Sequence, residues 1–303
     1  MTLKNIVLSG AAVFALMACE PEANAPVKEE AVAPVETVET PTEVVVEKSP
    51  MEVALAGDWR ISPERDVWRH PAETLEFFGV EPSDTVVEIW PGGGWYTAVL
   101  GPYLKAGGGK LIAASFDPAS SDYAKAGIEK YTAAFLSKPE VYGDIELTVA
   151  SKDSDGIAPE GSADVVLTFR NVHNWMSNSY ADKMFKDAYK ALKPGGVLGV
   201  VEHRLPSAGE QDPTGSSGYV KEALVRQFAE EAGFEFAGSS EINANPADTA
   251  DHPFGVWTLP PVSRSAPRGE EASPDFDSAK YAAIGESDRM TLKFIKPETT
   301  AQE

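Results

Sequence analysis

A carboxylate and three consecutive glycines lie close together in the sequence, at Glu88 and at positions 92–94. The apolar residues 86–89 are typical of a buried strand, and the residues from 97 onward are typical of a helix. Glycines at such a turn let a ligand approach the backbone closely, because no Cβ stands in the way. The free N–H groups at the start of the helix would face the same ligand. The stretch therefore predicts a nucleotide-binding turn at the carboxyl end of a strand.

A second group of reactive side chains occupies residues 170–175, Arg-Asn-Val-His-Asn-Trp. The segment follows residues 164–169, which are typical of another buried strand. His173 can take a proton from an attacking nucleophile, since an imidazole titrates near neutral pH. The alternative is a histidine that is hydrogen-bonded for structural reasons.

Two more polar residues, Glu202 and His203, end a further candidate strand at 197–202. Together with His173 they offer a ligand set for zinc or iron. No helix-spaced pair of ligands supports a metal, and no Gly-x-Ser-x-Gly motif supports a hydrolase. We therefore expect no metal site.

Strands and helices alternate along the chain after the first fifty residues. The strands are predicted at 86–89, 110–116, 145–149, 164–169, 197–202, 234–243 and 290–295. The helices are predicted at 97–104, 123–136, 180–192 and 220–232. Such alternation implies a parallel sheet with helices on both faces. No clear helix separates the last two strands, so they can pair antiparallel, with the irregular insertion 246–288 lying over the site. We predict an α/β fold, a doubly wound sheet of about seven strands, mostly parallel with an antiparallel last strand.

The order of these pieces resembles that of class I S-adenosylmethionine (SAM) dependent methyltransferases, and the resemblance extends over most of residues 59–297. Its motifs are Glu-Ile-Trp-Pro-Gly-Gly-Gly at 88–94, the segment 153–166, Leu-Lys-Pro-Gly-Gly-Val-Leu at 192–198, and a terminal strand after a long insertion. More narrowly, the chain resembles a bacterial group of uncharacterised predicted methyltransferases, here in an exported or lipoprotein form. That group shares the motifs at 90–97, 170–175 and 285–290. The resemblance implies a Rossmann-like sheet, SAM as the cofactor and a small methyl acceptor.

The resemblance also implies roles for the cofactor-binding residues. Glu88 would accept from the SAM ammonium, and Gly92 and Gly94 would permit the close approach of the backbone. Asp117 would bind the ribose hydroxyls, and Asp153 would bind the adenine amino group. The structural alternatives are a backbone cap for Glu88, a turn residue for each glycine, a helix cap for Asp117 and a surface acid for Asp153.

Two positions depart from the family pattern. Trp90 replaces the usual first glycine, and the acid expected at Ser115 is displaced to the second residue beyond it. An indole at that turn either reshapes or fills the pocket, and its face would attract a sulfonium by cation–π interaction. The substrate-handling residues would be His173, Asn171 and Arg170, at the end of the fourth strand.

Composition limits the partners of this chain of 303 residues. The formal net charge of −21 argues against nucleic acid as a partner, because phosphate binding needs clustered Lys and Arg. It argues equally against electrostatic docking on an anionic membrane. The single cysteine, Cys19, excludes an intrachain disulfide and a thiolate metal site.

The amino-terminal residues predict export. Residues 6–17 are mainly apolar and too few to span a membrane, which is typical of a signal peptide. The tetrad Leu-Met-Ala-Cys at 16–19 resembles a bacterial lipobox, with Cys19 as the lipidated residue. An ordinary signal peptide with a chance cysteine is the alternative. We expect a signal peptide at 1–19, a disordered Pro/Glu-rich tether at 20–50, a folded domain at 51–297 and a tail at 298–303.

Three functions are consistent with these features. The first is SAM-dependent methyl transfer to a small acceptor by a protein that is periplasmic or anchored to the cell envelope by lipid alone. The second is non-catalytic ligand binding by a lipoprotein with a methyltransferase fold, since SAM is made and used in the cytoplasm. The third, an NAD enzyme, is disfavoured by the displaced acid of strand two and by the Lys-Pro-Gly-Gly turn.

Overall fold

The computed structural model describes residues 48–298. The predicted signal peptide, the lipidation site Cys19, the tether up to residue 47 and the tail beyond residue 298 lie outside the described residues. None of the helices in the described part is long and apolar enough to cross a membrane.

A seven-stranded sheet forms the centre of the described part, in the order β3-β2-β1-β4-β5-β7-β6. Its strands are β1 (Thr85–Ile89), β2 (Lys110–Ser115), β3 (Glu146–Val149), β4 (Ala163–Phe169), β5 (Leu192–His203), β6 (Glu235–Ser240) and β7 (Arg289–Ile295). The pairs formed by β1 to β5 are all parallel, and β7 is antiparallel to both β5 and β6. The predicted α/β fold with a mostly parallel sheet and an antiparallel last strand is confirmed.

The helices connect the strands close to their predicted bounds. They are α1 (Pro50–Ala56), α2 (Asp66–Arg69), α3 (Pro71–Phe78), α4 (Thr97–Gly107), α5 (Asp122–Tyr131), α6 (Pro139–Tyr142), α7 (Val172–Ser177), α8 (Ala181–Ala191), α9 (Glu222–Ala232) and α10 (Ser278–Ile284). The α1 helix begins with a capping box in which Ser49 and Glu52 satisfy each other's backbone N–H groups.

One local prediction differs from the structure. The Lys-Pro-Gly-Gly stretch at 193–196 is not a turn before β5 but an irregularity within it. Ala163 pairs with Leu192, and the next paired residue, Val165, pairs with Val197. The extra residues of β5 are accommodated by a bulge, where Gly195 adopts a φ of 76°.

The alternation of side chains along β1 divides the core between the two faces of the sheet. Val87 and Ile89 pack in one apolar cluster with residues of α7, α8 and α9. Val86 packs in another with residues of α3 and α4. Glu88 shares the face of Val86, where it meets Thr97 at the start of α4. The fold therefore places a carboxylate beneath the glycine turn.

The insertion between β6 and β7 is held by the buried carboxylate of Asp248. It accepts hydrogen bonds from the Tyr219 hydroxyl at 3.0 Å and from the Asp288 backbone N–H at 2.8 Å, and it pairs with Nε2 of His252 at 2.7 Å. Residues 256–262 of the insertion, except Thr258, line the cavity described below. The insertion therefore covers part of this cavity.

Candidate active site

A cavity of ≈ 400 Å³ lies at the carboxyl edge of the sheet, where β1, β4 and β5 end. Its lining includes six of the predicted site residues, Glu88, Trp90, Gly92, Arg170, Asn171 and His173. It does not include Gly94, Asp117 or Asp153. The last two line a separate surface cleft that shares no lining residue with the cavity.

The glycine turn has two parts with different roles. Gly92 has a φ of 58°, and a Cβ at Gly92 or Gly93 would meet nothing within 4 Å, so the space above the turn is open. Gly94 has a φ of 79°, and a Cβ there would lie 2.1 Å from an atom of the Phe135 ring. Gly94 is thus required by packing, while Gly92 and Gly93 expose backbone to the cavity.

Glu88 is a buried carboxylate, 2% exposed. One of its oxygens accepts a hydrogen bond from the Thr97 hydroxyl at 2.6 Å, and no basic side chain of the described residues lies within ion-pair distance. Burial raises the pKa of Glu88 to about 7. Its described hydrogen bond goes to a side chain, so the capping alternative lacks a backbone partner here. A cationic group in the cavity would favour its charged form.

Trp90 follows β1 in the left-handed region, with a φ of 49°. Its Nε1 donates to the carbonyl of Ala150 at 2.8 Å, and its ring lies 4.5 Å from that of Phe116, centroid to centroid. Phe116 follows β2 and Ala150 follows β3, so the indole extends across the end of β2. Trp175 and Tyr180 meet it edge-on, each at 6.2 Å. The indole fills this part of the sheet edge.

The two acids predicted to bind the nucleoside, Asp117 and Asp153, each form a contact with a nearby residue of the same loop. Asp117 accepts from the backbone N–H of Ala119 at 2.8 Å. Asp153 is exposed and pairs with Lys152 at 2.6 Å. The contact of Asp153 agrees with the surface-acid alternative. The helix-cap alternative for Asp117 is wrong, because α5 begins at Asp122 and its N-cap is Ser121, so Asp117 stabilises only the turn before that helix.

His173, on α7, is held by the fully buried Glu202, at the end of β5. The carboxylate of Glu202 accepts from the backbone N–H groups of Val172 at 2.6 Å and His203 at 2.8 Å, and meets Nδ1 of His173 at 3.0 Å. Backbone N–H groups can only donate, which makes the carboxylate the acceptor and assigns the proton to Nδ1. Nε2 of His173 is then left as a proton acceptor. This is the arrangement of a general base and its orienting carboxylate.

The same residues form the cluster that was considered for a metal. One ligand atom each from His173, Glu202 and His203 lies within 4.8 Å of the others. The Nδ1 atom of His203 bonds to the Ser287 hydroxyl at 2.5 Å, and burial together with the neighbouring His173 holds its pKa well below its usual range. A metal ion would compete with the N–H groups already on Glu202. The geometry therefore favours an oriented base with a neutral histidine beside it.

Asn171 and Arg170 differ in how the protein uses them. The amide of Asn171 donates to the carbonyl of Ile89 at 2.9 Å and thereby ties the end of β4 to the end of β1. Arg170 is half-buried with a φ of 64°, and its side chain has no hydrogen bond or ion pair with a described residue. Asn171 positions the backbone, while Arg170 presents a free guanidinium to the cavity.

A group of arginines at the cavity was missed at the sequence level. The carboxylate of Glu286 accepts from Nε of Arg65 at 2.6 Å, from Nε of Arg69 at 3.1 Å and from Nη1 of Arg289 at 3.0 Å. Burial and neighbouring arginines lower the pKa of Arg69 to about 9 and that of Arg170 to about 10. The one available signal was the motif at 285–290, to which no role was attached.

Sheet order, strand directions and the position of the cavity define an α/β protein with a Rossmann-like fold. No family model matches the sequence, and no curated protein matches it. Solved structures do match it. A SAM dependent methyltransferase from Aquifex aeolicus is 18% identical, with 65% of this chain and 94% of that chain covered and a TM-score of 0.46.

Two further solved structures are similar in the same way. The trans-methyltransferase CalH, in complex with SAH, is 15% identical over 75% of this chain and 55% of that chain, with a TM-score of 0.46. A TehB-like SAM-dependent methyltransferase from Corynebacterium glutamicum is 15% identical over 75% of this chain and 86% of that chain, with a TM-score of 0.41. At these identities the likeness concerns the fold alone.

Proposed function

We propose that the protein transfers a methyl group from SAM to a small acceptor bound in the cavity. The observation that carries the proposal is a single cavity that contains a buried carboxylate without a cationic partner, Glu88, and an oriented base, His173. The open backbone at Gly92 and Gly93 lies in the same cavity. When bound, SAM supplies an electrophilic methyl group.

The residues present fit the amino-acid portion of SAM. Glu88 would accept from its ammonium, and the lack of a side chain at Gly92 and Gly93 leaves room above the turn. The nucleoside portion is a different case, because the indole of Trp90 fills the edge at Phe116 and Ala150. For the nucleoside portion of SAM to reach Asp117 and Asp153, the indole of Trp90 would have to move and break its hydrogen bond to the Ala150 carbonyl.

The chain's own contribution to the reaction is proton removal and positioning. Nε2 of His173 takes the proton of the acceptor nucleophile, and Glu202 stabilises the imidazolium that forms. Groups positioned in this way contribute about 10²–10⁴ to a rate. Trp257 of the insertion lies edge-on to the His173 ring at 6.0 Å and shields this base from one side.

Isothermal calorimetry on the full chain, with SAM and S-adenosylhomocysteine as ligands, tests the proposal. We expect weak binding by the natural protein, at least ~10-fold tighter binding by Trp90→Gly, and at least ~10-fold weaker binding of SAM by Glu88→Gln. Glu235→Gln, at an exposed position on β6, is the matched control and should bind like the natural protein.

The absence of heat at millimolar SAM in both the natural protein and Trp90→Gly would overturn the proposal. The remaining candidate is then non-catalytic ligand binding by the same cavity. The indole that fills the nucleoside edge is the observation that favours this second function.

We also propose that the protein is exported and anchored to the cell envelope by lipid at Cys19, on the strength of residues 1–19. Cys19→Ser should move the protein from the membrane fraction to the soluble fraction of the cell envelope. Unchanged partitioning of this variant would contradict lipidation.

A further inference from the structure

The wall of the cavity formed by α2, the β4 end and the segment before β7 carries a surplus of positive charge. Arg65, Arg69 and Arg170 line the cavity, and Arg289 bonds to the same carboxylate as Arg65 and Arg69, that of Glu286. The carboxylate of Glu286 is the one acidic group among residues 48–298 within ion-pair distance of any of these four guanidinium groups. One carboxylate therefore pairs with three of the four guanidinium groups, and the partly desolvated site keeps a net positive charge.

The hydrogen bonds of this cluster are also incomplete. Nη2 of Arg69 and Nη2 of Arg65 are buried and have no hydrogen-bond partner among the described residues. The Arg69 side chain is 2% exposed and its guanidinium lies 4.7 Å from the centroid of the Trp95 ring. Burial of unpaired donors and of unneutralised charge is unfavourable, and an anion bound in the cavity would satisfy both.

Arg170 is the member of the cluster whose side chain has no partner in the described part of the chain. Its backbone adopts the left-handed region, with a φ of 64°, which is strained for a residue with a long side chain. Strain of this kind persists where the surrounding structure holds a residue in place for function. Here the strain holds a guanidinium that has no partner among residues 48–298 at the lining of the cavity that also contains His173.

We propose that Arg170, Arg69 and Arg65 bind a carboxylate or phosphate group of the molecule that occupies the cavity. Guanidinium groups recognise both anions through paired N–H donors, and a single anion would satisfy several donors at once. The inference rests on the proposed function only for the ligand's identity: the anionic group belongs either to the methyl acceptor or to the carboxylate of SAM. The anion subsite itself is independent of SAM.

The test uses the full chain with inorganic phosphate and with acetate, each titrated without SAM in a zwitterionic buffer and followed by calorimetry and by thermal unfolding. We expect millimolar binding by the natural protein and at least ~10-fold weaker binding by Arg170→Gln, as for the loss of one charge-assisted contact. Arg268→Gln removes the same charge from an exposed position of the insertion and should bind like the natural protein.

Two results would overturn the proposal. One is the absence of binding of either anion by the natural protein. The other is equal affinity in the natural protein and in Arg170→Gln. Arg170 has no side-chain partner among residues 48–298, so its removal leaves no protein group unpaired and the variant should fold. Arg69→Gln, which also removes a contact with Glu286, then provides a second measurement.

The same titrations in the presence of S-adenosylhomocysteine distinguish the two sources of the anion. Mutual exclusion of phosphate and S-adenosylhomocysteine assigns the subsite to the carboxylate of the cofactor. Simultaneous binding assigns it to an acid or phosphate group of the acceptor. If S-adenosylhomocysteine binds neither the natural protein nor Trp90→Gly while phosphate binds, the proposed function fails and the anion subsite stands.

Discussion

The carboxyl edge of the sheet has two halves that the protein treats in opposite ways. At the ends of β2 and β3, the indole-filled half consists of Trp90 and of Phe116 and Ala150, both of which the indole contacts. At the ends of β4 and β5, the arginine-lined half remains open, with Arg170 at its wall and His173 beside it. In one half the indole covers the strand ends and leaves only the separate surface cleft at Asp117 and Asp153, whereas the other half contains the cavity.

The difference arises from two residues in the same backbone conformation. Trp90 follows β1 and Arg170 follows β4, both with positive φ. The side chain of Trp90 is satisfied by a carbonyl and three aromatic rings, while that of Arg170 has no partner in the described part of the chain. Under the proposals above, the ligand is recognised in the arginine-lined half, and Trp90 controls whether a nucleoside enters the other half.

The largest effect is expected for Glu202→Ala in the arginine-lined half. The change leaves two backbone N–H groups and Nδ1 of His173 without their buried acceptor, and should lower the free energy of unfolding by about 3–5 kcal/mol. Urea unfolding measures the change. Glu235→Ala, at an exposed position, should alter stability by no more than about 0.5 kcal/mol. A cost below about 1 kcal/mol for Glu202→Ala would show that the carboxylate does not organise this half.

Glu88, beneath the boundary of the two halves, predicts a pH dependence. The pKa of Glu88 is raised from 4.5 to about 7 in the folded protein, so between these values the unfolded chain binds fewer protons. The free energy of unfolding therefore falls as pH rises through this window. Glu88→Gln removes that loss. The free energy of unfolding of the variant relative to that of the natural protein should therefore rise by on the order of 2–3 kcal/mol between about pH 5 and about pH 8. If the free energies of unfolding of the two proteins differ by the same amount at both pH values, Glu88 does not have a raised pKa and is not an unpaired buried carboxylate.

Trp90→Gly tests the indole-filled half by stability as well as by ligand binding. Loss of the aromatic contacts and of the hydrogen bond to Ala150 should outweigh the relief of backbone strain, for a net cost of about 2 kcal/mol. Chemical denaturation measures the cost. A neutral or stabilising result would mean that the indole does not hold this half closed.

The smallest effect, of opposite sign, is expected for Arg170→Gly. As in Trp90→Gly, a glycine replaces a residue with positive φ, a conformation that glycine adopts freely. At position 170, however, the side chain that is lost has no partner in the described part of the chain. We expect a gain of about 1 kcal/mol in the free energy of unfolding, accompanied by weaker anion binding. If both glycine variants are destabilised to the same degree, the contrast between the two halves fails.

Local sequence patterns were sufficient for the architecture. Apolar runs, glycines and helix signals predicted the seven strands and their mostly parallel arrangement, because these signals act over a few residues. They also predicted that Glu88 and His173 lie at the carboxyl edge, since each lies in or next to a strand of known direction. The bulge at 193–196 was missed because a Lys-Pro-Gly-Gly stretch serves a turn and a bulge equally well.

The arginine-lined half could not be predicted in the same way. Arg65 and Glu286 meet across 221 positions of sequence, and neither residue has a local pattern that indicates the other. The role of Glu202 likewise depends on where α7 brings the N–H of Val172 and the ring of His173. An ion pair between residues so far apart in the sequence forms only after the sheet has brought together the two segments that carry them.

The glycine turn shows the division between sequence and tertiary structure most clearly. Residue types alone made 92–94 a turn, because only glycine adopts such backbone angles freely. Packing decided that Gly94 lies against Phe135 and that the space above Gly92 is open. Packing also decided that Trp90 turns toward Ala150. A backbone conformation is a local property of the chain, whereas the space that a side chain fills depends on all the elements that surround it.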